Sequence, residues 1–381
     1  MKKLKLTKVI ASTLVIASVL ALNPIGASAE WESDPRGWWY TEGNSWATGW
    51  RLINSKWYYF DSKGYMAKDT TIDGYYVNDS GARAEITISG DFKFDKSTGT
   101  IVEYIGSDSS VVIPNKIDGT DIKRIRFTSA SSCKNLTSIT IPDSTTGIES
   151  IVCMNCSNLT HVDIPNSVKR IGAFAFNGCT NLKSIAIPDS VKIINEAAFR
   201  GCKSLNSIII PNSVQSIGPK AFAGCSGLTT LTIPNSVTNI GDGIFQNCIN
   251  LTNITIPDSV KTIGYGAFSG CSSLSNIKMP NGITIINEIE FQGCSSLSSI
   301  VIPNGVTSIQ KEAFEGCTNL TSITIPDSVT SIANYVNSPS GGIGINPFQD
   351  CTKATIYVKS EKTKQLLINS GVSASKIIVS A

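Results

Sequence analysis

The sequence predicts a β-rich solenoid with coils of 23 residues, preceded by a small all-β hairpin module. Two repeated features predict the solenoid, and a cluster of aromatic residues predicts the module. The first feature is an Ile-Pro step, Met-Pro in one copy, whose proline recurs every 23 residues at Pro142, Pro165, Pro188, Pro211, Pro234, Pro257, Pro280, Pro303 and Pro326. The second is a cysteine with the same period, at Cys133, Cys156, Cys179, Cys202, Cys225, Cys248, Cys271, Cys294 and Cys317. A fixed period of this length is typical of stacked repeats rather than of independent domains.

One copy shows how a coil is built. In "LTSITIP", Leu320, Ile323 and Ile325 are apolar, and the two isoleucines alternate with a threonine as a strand requires. Pro326 ends the strand because proline has no N–H to donate to a ladder, and the following "DSV" favours a turn. Residues 311–317, "KEAFEGC", predict one short helical turn closed by glycine. Stacking such coils produces a long parallel sheet.

The two ends of the array differ from its centre, as terminal coils must. Residues 85–132 are predicted to form an N-terminal capping coil, and residues 133–332 to form the regular repeats. Residues 333–381 are predicted to form a stretched last coil and a C-terminal cap. The stretched coil contains a loop at residues 337–344, and the cap contains an amphipathic helix around "KTKQLLINSG".

The repeated phrase "LTxIxIPxSVxxIGxxAFxGC" resembles the bacterial surface-antigen, or BspA-like, treponemal type of leucine-rich repeat. The resemblance covers about residues 86 to 381. It implies a curved leucine-rich-repeat solenoid on a secreted or wall-attached protein, where it usually serves adhesion or protein binding.

The cysteine column predicts buried free thiols. Side chains one coil apart point the same way, so their Cβ atoms stay near 5 Å apart, which is too far for a disulfide. We therefore expect each thiol to be a small apolar packing group. Cys153 departs from the column, because it stands in the phenylalanine position of its coil and forms "CMNC" with Cys156. A redox or metal pair and a simple change of core volume are both open for these two residues.

The strand positions between the apolar residues predict an outward face of short hydroxyl and amide groups. These positions are Thr137, Ser138, Thr140, Thr160, His161, Asp163, Lys183, Ser184, Ala186, Thr252, Asn253, Thr255, Thr321, Ser322 and Thr324. Two interpretations stay open: a solvated face, or a broad contact surface of low affinity for a protein or glycan. His161 is interpreted as a surface variant rather than a ligand.

The first 29 residues predict a cleaved secretory signal peptide, with a basic start, a short apolar core and small residues before Glu30. A retained membrane anchor is the alternative. No later stretch has the length and hydropathy of a transmembrane helix.

Cleavage of the predicted signal peptide would remove four lysines and leave 28 basic against 29 acidic residues. This balance argues against nucleic acid as a partner.

Residues 30–84 are rich in tryptophan and tyrosine and predict short hairpins with glycine turns. The stretches "GW", "WYYF" and "GYM" at residues 49–66 resemble the choline-binding, or cell-wall-binding, repeat family. That resemblance implies an aromatic cage for the choline groups of wall teichoic acid, held by cation–π attraction. The residues to which the family's ligand-binding role carries over are Trp50, Trp57 and Tyr59, with Trp39 and Trp46 as further candidates. Another wall polymer, or no ligand, remains open because the last unit lacks tryptophan.

We therefore predict a non-enzymatic protein of the bacterial cell surface without cofactor or metal. Its module would attach to a cell-wall polymer, and its solenoid would bind a surface or matrix protein or a glycan. A single histidine disfavours Ser-His and Cys-His catalysis. The alternatives are a cell-wall hydrolase, which the lack of room for a catalytic domain disfavours, and a structural spacer without a specific ligand.

Overall fold

The computed structural model describes residues 29–127, 134–150, 152–333 and 346–380. All but the last residue of the signal peptide predicted at residues 1–29 lies outside the described residues, as do Cys133 and the loop predicted at residues 337–344. The chain divides into two compact units, Met1–Ile86 and Thr87–Ala381.

The first unit is made of short antiparallel strands. They are β1 (Trp31–Asp34), β2 (Gly37–Glu42), β3 (Ser45–Trp46), β4 (Gly49–Ile53), β5 (Lys56–Phe60), β6 (Thr70–Ile72) and β7 (Tyr75–Val77). Asp73 and Gly74 join β6 to β7 with φ angles of 50° and 80°. Asp-Gly is the preferred pair for a two-residue hairpin turn that needs two positive φ angles.

The second unit begins with antiparallel strands and continues as a parallel solenoid. Its strands are β8 (Ile86–Ser89), β9 (Phe92–Asp95), β10 (Thr100–Tyr104), β11 (Ser110–Val112), β12 (Lys116–Ile117), β13 (Thr120–Asp121), β14 (Arg124–Ile125), β15 (Ser138–Thr140), β16 (Gly147–Ile148), β17 (His161–Asp163), β18 (Arg170–Ile171), β19 (Ser184–Ala186), β20 (Ile193–Ile194), β21 (Ser207–Ile209), β22 (Ser216–Ile217), β23 (Thr230–Thr232), β24 (Asn239–Ile240), β25 (Asn253–Thr255), β26 (Thr262–Ile263), β27 (Ile285–Ile286), β28 (Ser299–Val301), β29 (Ser308–Ile309), β30 (Ser322–Ile325), β31 (Ser331–Ile332), β32 (Thr355–Val358) and β33 (Ile377–Val379). Helix α1 spans Glu361–Asn369 and a 3₁₀ turn spans Ala374–Lys376.

Most regular coils carry two short strands, and these pair with strands of adjacent coils in two separate sets of ladders. The front sheet contains the predicted strands, and its register joins Ile185 to Ile208, which are 23 positions apart. The side sheet contains two-residue strands such as β18 and β20, and it runs without a break from β10 to β26. The prediction of one parallel sheet is therefore incomplete. A strand of two residues shows no alternation, so the sequence pattern does not reveal it.

The predicted solenoid and its C-terminal helix are confirmed, whereas the short helical turn is replaced by tight turns. The N–H of Glu315 donates to the carbonyl of Glu312, and the N–H of Cys317 donates to that of Phe314. Glu312 has a φ of 56°, and this left-handed residue prevents a continuous right-handed helix.

The core of the solenoid is a set of columns that run across the coils. A phenylalanine of each coil stacks on that of the next, with ring centroids 5.4–5.9 Å apart. The stacked rings are Phe176, Phe199, Phe222, Phe245, Phe268, Phe291, Phe314 and Phe348. Offset stacking at this distance adds to the free energy of burial.

The cysteine column lies beside the phenylalanines. All ten described cysteines are free and buried, as predicted, and Cys153 fills a core position. The interpretation of these thiols as small apolar packing groups is incomplete, because each of eight also donates a hydrogen bond. The Sγ of Cys248, for example, lies 3.1 Å from the carbonyl oxygen of Phe222 in the preceding coil. Cys179 donates in the same way to the carbonyl of Cys153. A thiol therefore satisfies one buried carbonyl in each of these coils.

We expect these thiols to be unreactive until the protein unfolds. Burial raises the pKa of Cys202 and of Cys248 to about 12, so the nucleophilic thiolate is scarce at neutral pH. Titration with an aromatic disulfide reagent should give negligible labelling of the described cysteines in the native protein. In denaturant, every thiol should react within minutes. Rapid native labelling, or thiols missing in denaturant because they had formed disulfides, would contradict this expectation.

Candidate functional site

One face of the β4–β5 hairpin carries the three main ligand-binding candidates of the sequence analysis, Trp50, Trp57 and Tyr59. Trp50 pairs with Tyr59, and Trp57 pairs with Leu52, two positions along the same ladder. Cross-strand partners project to the same side of a sheet, so these aromatic side chains are neighbours. The ring centroids of Trp50 and Tyr59 are 5.4 Å apart in an edge-to-face arrangement. The structure thus brings Trp50, Trp57 and Tyr59 together.

The two further candidates lie elsewhere in the module. The ring of Trp39 contacts that of Tyr65, with centroids 6.1 Å apart. Trp46 is 56% exposed and lies against Gly64, where an added Cβ would come within 2.3 Å of the indole ring. Gly64 has a φ of 86°, so only glycine suits this position in both space and conformation. Trp39 and Trp46 therefore do not join the Trp50 cluster.

An aromatic cavity of about 300 Å³ is formed by residues that the sequence analysis did not select. Its lining consists of Trp31, Trp38, Tyr58, Met66, Lys68 and Ser80. Trp31 lies edge-on to Tyr58, with centroids 4.9 Å apart, and Trp38 is 43% exposed at the mouth. We call this cavity the first cage. Its aromatic residues come from three strands, so no single motif contains them.

The chemistry of the first cage suits a cation that lacks N–H groups. Three aromatic faces carry negative charge density, and a thioether adds a polarisable apolar contact. No carboxylate belongs to the described lining, so a primary ammonium ion would find few acceptors for its hydrogen bonds. A quaternary ammonium needs none and is attracted to the rings by cation–π interaction. Lys68 supplies a positive charge at the rim, which suits a ligand that also carries an anionic group.

A second concavity, of about 850 Å³, lies on the front sheet of the solenoid. It includes Asn253, Thr255, Asn276 and Lys278 and lies where residues 276–278 interrupt the front sheet between β25 and β28. Amide and hydroxyl side chains, which were predicted for this face, line the concavity together with isoleucines and prolines. The residues predicted to point outward are exposed or partly exposed. Three apolar residues of this face were not predicted: Val112, Ile209 and Val301 are 70%, 83% and 68% exposed.

Comparison with known families identifies the solenoid. Residues 106–229 and 215–344 match the BspA type leucine rich repeat region, and together they cover more than half of the chain. The chain belongs to the BspA-type leucine-rich repeat family. Within this family member, residues 47–85 also match the choline-binding repeat. The second match contains Trp50, Trp57 and Tyr59, whereas Trp31 and Trp38 precede it.

Solved structures of bacterial leucine-rich repeat proteins are similar to this chain. A leucine-rich repeat protein of T. pallidum is 30% identical over 50% of this chain and 87% of its own, with a TM-score of 0.45. A leucine-rich cell surface protein of Faecalibacterium prausnitzii is 28% identical over 75% and 97%, with a TM-score of 0.36. A leucine-rich repeat protein of Bacteroides ovatus is 25% identical over 82% and 100%, with a TM-score of 0.36. No curated protein sequence matches the chain.

In the part of the chain that the structure describes, no helix has both the length and the apolar character that crossing a bilayer requires.

Proposed function

We propose that this family member is a non-enzymatic, secreted protein of the bacterial cell surface, held at the cell wall by its aromatic module. The observation that carries the proposal is the first cage, in which Trp31, Trp38, Tyr58 and Met66 surround a cavity of the size of a small ligand site. The ligand is the trimethylammonium group of a choline-substituted wall polymer. The match of residues 47–85 to the choline-binding repeat supports this choice of ligand.

The rim of the first cage favours choline that is still attached to phosphate. The exposed ammonium of Lys68 repels a free cation and attracts a neighbouring phosphate. A phosphocholine group offers both charges, so the cage and its rim are complementary to the two ends of one ligand. Wall teichoic acids that carry phosphocholine have this chemistry.

The solenoid provides the second binding surface of the proposed function. Its front sheet presents the concavity around Asn253 and Asn276 together with the exposed Ile209 and Val301. Hydroxyl and amide groups can exchange hydrogen bonds with sugar hydroxyls or with a peptide backbone. We propose that this face binds a surface or matrix protein or a glycan, which makes the protein an adhesin-type molecule.

Retention of the purified full chain on choline-agarose tests the proposed wall attachment. We expect the protein to bind and to elute with choline, and to elute at a lower concentration of phosphocholine because of Lys68. Trp31→Ala and Trp38→Ala should each weaken binding roughly 2- to 30-fold, which corresponds to one cation–π contact of about 0.5–2 kcal/mol.

Two further measurements make this test decisive. Trp39→Ala and Trp46→Ala remove exposed or partly exposed tryptophans of the same module outside the first cage, so retention should be unchanged. A wild-type protein that passes through the column, or equal losses in all four variants, would contradict the proposed attachment. Hydrolysis of cell-wall substrate by the purified protein would contradict its non-enzymatic character.

A further inference from the structure

The module contains a second aromatic site with the same construction as the first cage. In the first hairpin, Trp31 pairs with Tyr40, and the tryptophan two residues before that tyrosine is Trp38. In the next hairpin, Trp50 pairs with Tyr59, and the tryptophan two residues before it is Trp57. The same ladder positions therefore carry the same pair of tryptophans twice.

The third ring of each site also corresponds. Trp31 lies edge-on to Tyr58 of the following hairpin, with centroids 4.9 Å apart and planes at 71°. Trp50 lies edge-on to Tyr75 of its following hairpin, with centroids 6.0 Å apart and planes at 89°. We use the name second cage for the cluster of Trp50, Trp57, Tyr75 and a fourth residue, which is identified next.

The fourth residue is where the two cages differ. In the first cage, the backbone N–H of Met66 donates to the carbonyl of Trp38 at 2.6 Å. In the second cage, the backbone N–H of Arg83 donates to the carbonyl of Trp57 at the same distance. Isolated β-bridges confirm the correspondence. Met66 pairs with Phe60, two residues after Tyr58, and Arg83 pairs with Val77, two residues after Tyr75. Arg83 thus occupies the backbone position that Met66 occupies in the first cage.

The side chain of Arg83 turns onto the aromatic cluster. Its Cζ lies 3.7 Å from the centroid of the Tyr75 ring, a contact distance for cation–π attraction. A ligand cation that entered the second cage would seek the same ring face and would meet a fixed positive charge. The indole N–H of Trp50 is already bound to Asp73, at 2.9 Å, so that carboxylate has a partner within the protein.

We propose that the second cage is closed by Arg83, which acts as an internal substitute for the quaternary ammonium ligand. The module then has one open site for a ligand cation and one site filled by its own chain. This inference rests on the proposed function for the identity of the ligand. Arg83 is exposed, so its side chain can be removed without opening the core.

Calorimetric titration of the full chain with choline chloride tests the closed site. We expect the wild-type protein to bind one choline per chain and Arg83→Met to bind two, because methionine restores the composition of the first cage. Trp50→Ala added to Arg83→Met should return the stoichiometry to one. Arg36→Met is the matched control, since Arg36 also lies over a tyrosine, 5.1 Å from the Tyr65 centroid, but belongs to neither cage. This control should bind one choline.

The outcomes separate the inference from the proposed function. One choline in both the wild type and Arg83→Met overturns the closed second cage and leaves the proposed function in place. A wild type without any choline site overturns choline attachment. In that case, a choline site that appears in Arg83→Met still supports the inference. If Arg83→Met also binds no choline, the inference is overturned. Arg83→Gln provides a second variant if the methionine protein does not fold.

Discussion

Replacing Glu290 with alanine should raise the free energy of unfolding at pH 7, by about 1–3 kcal/mol from its unpaired carboxyl oxygen alone. Glu290 is fully buried in the position where most coils have alanine. Its Oε2 accepts the N–H of Asn287 at 2.7 Å, whereas its Oε1 has no hydrogen-bond partner among the described residues. Burial raises the pKa of this carboxyl well above its usual value, so the folded protein disfavours the charged form that the unfolded chain carries.

Two costs have this sign. A glutamate in the unfolded chain is ionised at pH 7, and burial opposes that charge in the folded protein. The orphaned oxygen adds about 1–3 kcal/mol, and lost packing of the side-chain methylenes offsets part of the gain. The alanines of the same column show that the fold accepts the smaller residue: they are Ala175, Ala198, Ala221, Ala267 and Ala313.

The pH dependence has a definite sign. Because the folded pKa lies above the unfolded pKa, the wild type is penalised least below about pH 4.3 and loses stability as the pH rises towards the folded pKa. The nearby titratable thiol of Cys294 has its own pKa raised by burial and, to a smaller extent, by the charge of Glu290. Denaturant unfolding between pH 4 and 8 measures the effect.

Glu290→Gln is the matched control, since it keeps the size and polarity of the side chain and removes its ionisation. The difference in stability between Glu290→Gln and the wild type should widen as the pH rises from 4 to 7. A difference that stays constant over this range would show that Glu290 does not carry the pH dependence.

Phe245→Ala should lower the free energy of unfolding by about 3–5 kcal/mol. Phe245 is fully buried between Phe222 and Phe268, with ring centroids 5.9 and 5.7 Å away. Removing this ring opens a cavity and breaks two stacking contacts at once. In a solenoid each coil contacts its neighbours alone, so the loss weakens two adjacent interfaces. The midpoint of denaturant unfolding reports the change.

Phe348 provides the comparison within the same column. It stacks on Phe314, at 5.5 Å, and stands at the end of the described stack. Phe348→Ala therefore removes one stacking contact instead of two and should cost less than Phe245→Ala. Equal destabilisation by the two substitutions would show that stacking between coils does not set the energetics of this column.

The solenoid could be predicted because its period places every buried residue without knowledge of tertiary contacts. Leu320, Ile323 and Ile325 are all buried as the repeat pattern requires. The side sheet could not be predicted, since a strand such as Arg170–Ile171 is too short to show alternation. The hydrogen bond from the thiol of Cys248 to the carbonyl oxygen of Phe222 depends on side-chain geometry between adjacent coils. The repeat of cysteine every 23 residues does not reveal that geometry.

The first cage was missed for a different reason. Trp31, Trp38 and Tyr58 belong to different strands, and their meeting depends on how successive hairpins pack. The motif at residues 49–66 drew attention to Trp50 and Trp57, which form the equivalent second cluster. The buried Glu290 had a visible signal in the sequence, because it is the one acidic residue in an alanine column.

The constant register of the ladders bears on how such a protein changes over generations. Where front strands pair within the regular array, each residue meets the one 23 positions later, as Ile300 meets Ile323. Duplicating or losing one complete coil in the gene therefore leaves all remaining neighbours in place and alters only the reach of the surface. A duplication that ended part-way through a strand would shift the register of that strand and could turn its isoleucines towards water. Lineages can thus lengthen or shorten this molecule in steps of one coil without having to evolve a new core.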